Sequence, residues 1–326
     1  MLRILLIVGI AVMAVAGGVA LLVLGGGDGL GSYERLAKER WAHSRTSEAP
    51  ATAFRATVCA AGPCVLVEVA GLNFLIGAGD GAAEGLKYKG LLRRDLDGVL
   101  LDELNFETIE GLPALGEAML ASGRDDPLPV YGPEGVVTLV DGANLMLSGG
   151  GNDHLRFVAA DEGEDQGASG KVVYDSGVVT VLAFAVSNGA KARVYRIDTP
   201  QRSLIYAGCG ARPEDVVAAA RGARQAAGII GASSAPLMEA ERQAAKAAGQ
   251  PVPATPKCMT HEEAVEAIQS ARLLAGLILP LAPLEGESLK AWATTATIPK
   301  GLTAAVGEPG IVLDLTGGQP GIHKPQ

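Results

Sequence analysis

Histidine and aromatic side chains are scarce in this chain. Four histidines occur in 326 residues, at His43, His154, His261 and His323, and Phe, Trp and Tyr together make up 4%. So few imidazoles leave little material for a multi-histidine metal centre. Basic clusters are missing as well. The net charge is -9, and an acidic chain without Lys/Arg runs repels phosphate backbones, so no nucleic-acid partner is expected. There is no Walker loop, no Cys-x-x-Cys pair and no internal repeat.

What is present is apolar and rich in glycine. Hydrophobic residues make up 48% and glycines number 44. That suits one large globular domain, or two small ones, with many tight turns. The run from Ile4 to Leu24 carries no charge. As a helix rising ~1.5 Å per residue it spans about 31 Å, the thickness of a bilayer core. A secretory apolar region is shorter, about 7–15 residues, although Ala14-Val15-Ala16 before Gly17 resembles a cleavage site. An uncleaved signal-anchor is expected, with a cleaved signal peptide as the alternative. Arg3 precedes the run and Asp28 follows it, a bias that keeps the N-terminus cytoplasmic. The chain therefore divides into an anchor (residues 1–27, with 4–24 in the membrane), a stalk (28–52) and a globular domain (53–326). The domain would be tethered to the inner membrane in the periplasm or outside, or secreted after cleavage.

In such an oxidising compartment the four cysteines can pair. Cys59 and Cys64 flank Ala60-Ala61-Gly62-Pro63, a turn that can bring two strand ends together. The alternative is a pair of small buried apolar residues.

Hydrophobic patterning predicts strands over Ala53–Cys59, Val65–Val69, Leu72–Ile76, Gly98–Leu101 and Pro129–Tyr131. Helices are expected over Ala82–Leu92, Thr108–Ala121 and Gly135–Met146. A strand-rich stretch follows at Val172–Tyr174, Val178–Phe184, Ala192–Ile197 and Leu204–Tyr206. Then come a helix at Pro213–Ala227, a strand at Gly228–Ile230 and a helix at Pro236–Ala248. A capped helix at Thr260–Leu274 follows, with Thr260 and Glu263 forming a capping-box pattern. Leu277–Leu279 is read as a strand and Gly310–Leu315 as the last one. Two αβ halves in this order imply an αββα sandwich, an α/β (α+β) fold.

Several ordered segments resemble the metallo-β-lactamase superfamily, in its ribonuclease-Z-like and arylsulfatase-like branch. They are Val67 to Gly79, Asp97-Gly98-Val99-Leu100-Leu101, Ile109-Glu110-Gly111-Leu112-Pro113 and Pro127-Leu128-Pro129-Val130-Tyr131-Gly132-Pro133. Tyr195-Arg196-Ile197 with Arg202 to Gly208, and Thr260–Ala267, complete the set. The resemblance runs from about Phe54 to Leu315. It implies a hydrolase fold whose relatives hold two zinc ions with histidines and aspartates, activating a water.

Those ligands are missing here. The family's His-x-His-x-Asp-His motif falls on Glu103, Asn105, Glu107 and Thr108. A later His falls on Asn188, the bridging Asp on Cys209, a His-Glu pair on Gly231-Ala232, and the last His on Leu281. A further His falls on Met259. With four histidines in the whole chain, a shift of alignment does not restore the set. His154 in a Gly/Asp loop and His261 beside Thr260 are expected to be solvated. Zinc prefers imidazole and thiolate donors in convergent sets, so no cofactor is expected. Glu103 and Glu107 would at most suit a hard cation such as Ca²⁺ or Mg²⁺. By the same resemblance Cys209 would face the former metal pocket, where a Cys209–Cys258 disulfide could close it. A buried inert thiol and a catalytic cysteine are the alternatives.

Two further motifs are weak. Gly77-Ala78-Gly79-Asp80-Gly81-Ala82 fits a loose dinucleotide loop but reads better as a strand-to-helix turn. Gly231-Ala232-Ser233-Ser234-Ala235 is a poor echo of a nucleophile elbow. The function expected is that of a membrane-anchored, catalytically inactive relative, a pseudoenzyme that binds a protein or small ligand. The alternative is a hydrolase of phosphoesters, sulfate esters or lactones with an altered, non-histidine metal site.

Overall fold

The structure, a computed structural model, describes residues 52–324 apart from 89–94, 125, 148–155, 162–169, 189, 234–245, 250–257, 281–285 and 296. The anchor, nearly all of the stalk, most of the Pro236–Ala248 helix, His154 and Leu281 lie outside the described residues. Among the described residues, no helix is long and apolar enough to cross a membrane.

The chain opens with β1 (Phe54–Val58), β2 (Val65–Val69) and β3 (Leu72–Ile76), then α1 (Ala82–Tyr88) and β4 (Gly98–Leu100). Next come α2 (Phe106–Ile109), α3 (Leu112–Ala121), β5 (Leu128–Tyr131), α4 (Val136–Leu147) and β6 (Phe157–Ala159). The second half holds β7 (Lys171–Asp175), β8 (Thr180–Ala185), β9 (Arg193–Asp198), β10 (Ser203–Ala207), α5 (Pro213–Ala220) and β11 (Ala227–Ala232). It ends with α6 (His261–Ser270), β12 (Gly276–Pro280), α7 (Gly286–Thr295), β13 (Ala304–Val306), β14 (Val312–Asp314) and β15 (Gly321–His323).

Among the described residues these strands make an eight-stranded sheet, β15-β14-β1-β2-β3-β4-β5-β6, and a seven-stranded sheet, β13-β12-β11-β10-β9-β8-β7. The last strands cross between halves: β14 returns to pair with β1, with Ala56 opposite Leu313. Successive side chains point to opposite faces of a strand, and here both faces are covered. From β2, Val65, Val67 and Val69 enter a core between the sheets with Phe74, Ile197, Tyr206, Ile229 and Leu277. The intervening Leu66 packs outward with Leu86, Leu115, Met119 and Val140 under the helices of the first half. Likewise Ile205, Ile230 and Ile278 face outward onto Val216, Ile268 and Trp292. Two-sided burial is why these strands read as continuous apolar runs. The result is four layers, helices–sheet–sheet–helices.

The differences from the sequence reading have local causes. The Pro213–Ala227 helix stops at Ala220. Gly222 (φ +77°) and Gln225 (φ +41°) turn the chain in left-handed conformations, and β11 begins at Ala227. The Thr108–Ala121 helix is broken into α2 and α3. A side chain at Gly111 would meet the Gly79 carbonyl at 2.1 Å, so a bare backbone there lets α3 start against the β3–α1 turn. Strands β6, β13 and β15 and helix α7 were not expected; each of these strands has three residues and lies at a sheet edge. β14 is thus not the last strand.

The capping box of α6 forms as its pattern implies: Glu263 N donates to Thr260 Oγ1 at 3.2 Å and Thr260 N donates to Glu263 Oε2 at 2.7 Å. Thr260→Ala should cost about 1 kcal/mol, read as a lower urea midpoint with unchanged slope.

Candidate functional site

The segment after β4 is sewn to the second sheet. Tyr195 Oη donates to the Leu101 carbonyl at 2.9 Å. Arg193 N donates to the Asp102 carbonyl at 2.7 Å, and Glu103 bridges to Ala192. The next residues are committed to local structure. Asn105 is the N-cap of α2, its Oδ1 accepting from Thr108 N at 2.9 Å. Thr108 is buried, and its carbonyl accepts from Ala78 N at 2.8 Å. Glu107 is exposed, while its carbonyl crowds Gly79, where an added Cβ would lie 2.4 Å away.

Across from this segment lies Gly208-Cys209-Gly210, the turn after β10. Asn188 Nδ2 donates to the Gly210 carbonyl at 2.7 Å, and Asn188 Oδ1 accepts from Ala190 N at 2.9 Å. Cys209 is joined to Cys258 in a disulfide, with Cα atoms 4.4 Å apart. A second disulfide links Cys59 and Cys64 across their turn. The first is half-buried and the second fully buried.

Two carboxylates flank Cys209. Asp102 Oδ2 lies against Gly208, where a Cβ would meet it at 1.7 Å, and Glu103 Oε2 lies 3.8 Å from the corresponding point on Gly210. Gly208 is thus glycine for room. Gly208→Ala should cost about 2 kcal/mol through overpacking, measured by chemical denaturation. Asp102 is 1% exposed, and among the described residues its Oδ1 has no hydrogen-bond partner. Burial pushes its pKa up to about 7. Glu103 is raised to about 8, first by burial, then by the charges of Asp102 and Glu107, against a hydrogen bond from Asn105 that lowers it. Tyr206, 1% exposed, has a hydroxyl without a partner among the described residues, its pKa raised by burial and then by Asp102 and Glu103.

The remaining positions contribute no donor. Gly231 and Ala232 lie inside β11, paired with Leu279 and Pro280. Met259 is buried, and its carbonyl accepts from Ser233 N at 2.8 Å. His261, expected in solvent, is instead 5% exposed and stacked on Trp292, ring centroids 4.6 Å apart. Helix α7, absent from the sequence reading, supplies that indole. Burial lowers the His261 pKa. Among the described residues neither His261 nitrogen nor Ser233 Oγ has a hydrogen-bond partner, so these two do not pair. The Gly77–Gly79 turn has no room for a phosphate. A Cβ on Gly77 would sit 2.5 Å from the Pro63 carbonyl, and one on Gly79 2.4 Å from that of Glu107.

Beside the disulfide opens a cleft of about 500 Å³, lined among others by Asn188, Arg212, Glu214, Cys258, Met259 and Glu263. Among the described residues, no group of three or more His, Cys, Asp or Glu side chains is placed to hold a metal ion.

Against solved structures, the metallo-beta-lactamase fold protein YhfI from Bacillus subtilis superposes with a TM-score of 0.55 at 14% identity, covering 80% of this chain and 99% of that one. This chain has the metallo-β-lactamase fold. Zn(2+)-bound PqqB from Methylobacterium extorquens aligns with a TM-score of 0.51 at 15% identity, over 77% of this chain and 87% of that one. In sequence, a ribonuclease Z of Clostridium kluyveri is 32% identical over 82 residues, 25% of this chain. The match spans 27% of that enzyme's own length. No family model matches the chain.

On this metallo-β-lactamase fold the donor set does not suit zinc. Asn105 and Asn188 are neutral amides already hydrogen-bonded, Cys209 is oxidised, and Gly231 and Ala232 have no donor side chain. Asp102 and Tyr206 were missed by sequence reasoning. An aspartate ending the apolar run Val99-Leu100-Leu101 was the available signal for the first; Tyr206 has none, since its partner groups come from the other sheet.

Proposed function

We propose that this chain is a catalytically inactive member of the metallo-β-lactamase fold, tethered through residues 4–24 to the outer face of a membrane and acting by binding a protein or small ligand. The observation that carries this reading is the fate of the motif side chains. Where the resemblance calls for convergent imidazoles and a bridging carboxylate, Asn105 caps a helix, Asn188 holds a carbonyl and Cys209 is tied to Cys258. Ionising water at neutral pH takes a metal held by several donors with one position open, and these groups are spent elsewhere. The cleft beside Cys258 offers a ligand surface close to where relatives carry out chemistry. The test is phosphodiester hydrolysis by the purified full-length chain, with bis(p-nitrophenyl) phosphate as substrate and zinc supplied. No turnover above the buffer rate is expected, and chelator-sensitive turnover would defeat the reading.

A second reading, an altered-site hydrolase, is favoured by one observation: the Asp102–Glu103 pair, with both carboxyls raised toward neutrality, is the kind of arrangement used for general acid–base work. It predicts ester hydrolysis that survives chelation and is lost in Glu103→Gln.

A further inference from the structure

The cleft beside Cys258 has two walls. One is drawn from residues 211–214 at the start of α5, the other from residues 258–266 at the start of α6. The Cys209–Cys258 bond ties them together: Cys209 lies two residues ahead of the first wall, and Cys258 belongs to the second. Each wall is otherwise held to its own surroundings. Asn188 Nδ2 donates to the Gly210 carbonyl, and the Asp215 carboxylate accepts from Ser187 N and Arg212 N. On the other side Ser233 N donates to the Met259 carbonyl, and Thr260 and Glu263 cap α6. Among the described residues no hydrogen bond or ion pair joins residues 211–214 to residues 258–266. Carboxylates stand on both walls, Glu214 on the first and Glu263 and Glu266 on the second, and like charges across a cleft favour separation. The helix bodies are packed together, with Val216 and Ala219 of α5 in one buried cluster with Ala264 and Ile268 of α6. Cutting the bond therefore frees the ends of the two helices and leaves their bodies in place.

We propose that the Cys209–Cys258 disulfide is a redox gate on this cleft, closed as it stands and opened by a dithiol reductant. The gate deepens the binding role proposed above and rests on the cleft being its ligand surface. The bond is reachable, since both cysteines are half-buried, whereas Cys59 and Cys64 are at most 1% exposed. A thiolate of the reductant attacks one sulfur, the S–S bond breaks, and the other cysteine leaves as a thiolate that takes up a proton. The reductant's second thiol, once deprotonated, attacks its own sulfur in the mixed disulfide and releases the remaining cysteine, which is protonated in turn. Two electrons and two protons pass to the protein, which holds two thiols, and the reductant is left as its own disulfide. The cleft of about 500 Å³ is the closed form.

The test uses the full-length chain under native conditions. Limited dithiothreitol, then iodoacetamide and peptide mass spectrometry, should find Cys209 and Cys258 alkylated and Cys59 still joined to Cys64. Hydrogen–deuterium exchange in that reduced chain should be about tenfold faster than in the oxidised chain across residues 208–214 and 258–263. Exchange in β1, β2 and α4 should be unchanged. The Cys209→Ser/Cys258→Ser variant should show the reduced pattern without reductant and no response to it. Unchanged exchange at both walls after selective reduction would overturn the proposal, as would reduction of this bond only together with unfolding of the whole chain. Should the double variant fail to fold, the reduced parent decides alone. None of these readouts involves hydrolysis, so failure of the gate is separate from failure of the inactive-hydrolase reading.

Discussion

Replacing Cys209 and Cys258 together with serine is expected to destabilise the protein by about 4 kcal/mol, the chain-entropy value for a cross-link closing a loop of this length. The two cysteines are 49 residues apart in sequence, against 5 for Cys59 and Cys64. The same relation gives the short loop about 2 kcal/mol. The long bond also ties different layers of structure: Cys209 follows β10 of the second sheet, and Cys258 stands two residues before the Thr260 cap of α6. Urea unfolding of the parent, the Cys209→Ser/Cys258→Ser double variant and the Cys59→Ser/Cys64→Ser double variant measures the difference. The account expects the first pair of substitutions to cost more. Accessibility runs the same way. Cys209 and Cys258 are half-buried, whereas Cys59 and Cys64 are at most 1% exposed, so a water-soluble reductant should open the long cross-link first. Equal losses in the two double variants would mean that the bond at the candidate site constrains nothing beyond its own loop.

The second large effect is on pH dependence. Asp102 titrates near 4 in an unfolded chain, and burial raises it to about 7 in the folded one. Between those values the folded chain holds a proton that the unfolded chain has released. Stability contributed by this group therefore falls as pH rises through that window, and the loss is complete above the folded pKa. Three pKa units correspond to on the order of 4 kcal/mol, an upper figure for a group whose titration is tied to that of Glu103. Asp102→Asn keeps the shape and removes the ionisation. In chelator-treated protein it should unfold at higher denaturant than the parent at pH 8, and the difference should shrink toward pH 4. A parent whose stability rises between pH 5 and pH 8 with a slope unchanged in Asp102→Asn would show that Asp102 is ionised and satisfied in the fold.

How far the sequence carried can be judged residue by residue. Val65–Val67 and Leu277–Leu279 were legible within strands because burial on both faces leaves an unbroken apolar run. Phe157–Ala159, Ala304–Val306 and Gly321–His323 were not, because a three-residue edge strand has no period to detect. The Thr260–Glu263 capping box is a local pattern and could be read directly. The end of α5 could not, because it depends on left-handed turns at Gly222 and Gln225 that no apolar pattern announces. At the site, the scarcity of histidine and the identity of Glu103, Asn105 and Cys209 were visible in the sequence. Their consequences were not. That Asp102 and Glu103 straddle Cys209 depends on Gly208 and Gly210 being bare enough for carboxylates from the opposite sheet to lie on them. That His261 is buried depends on Trp292, thirty-one positions later in the sequence. The Gly77–Gly79 turn makes the same point: its glycines serve close backbone approach to Pro63 and Glu107, a tertiary reason that resembles a phosphate loop in one dimension.

The most direct measurement is the metal content of the purified full-length chain, kept under non-reducing conditions and analysed for zinc and manganese by elemental mass spectrometry. With the motif's donors replaced or bonded elsewhere, the account predicts less than about 0.1 transition-metal ion per chain, where a working centre of this fold would hold one or two. Two tightly retained zinc ions per chain would contradict it.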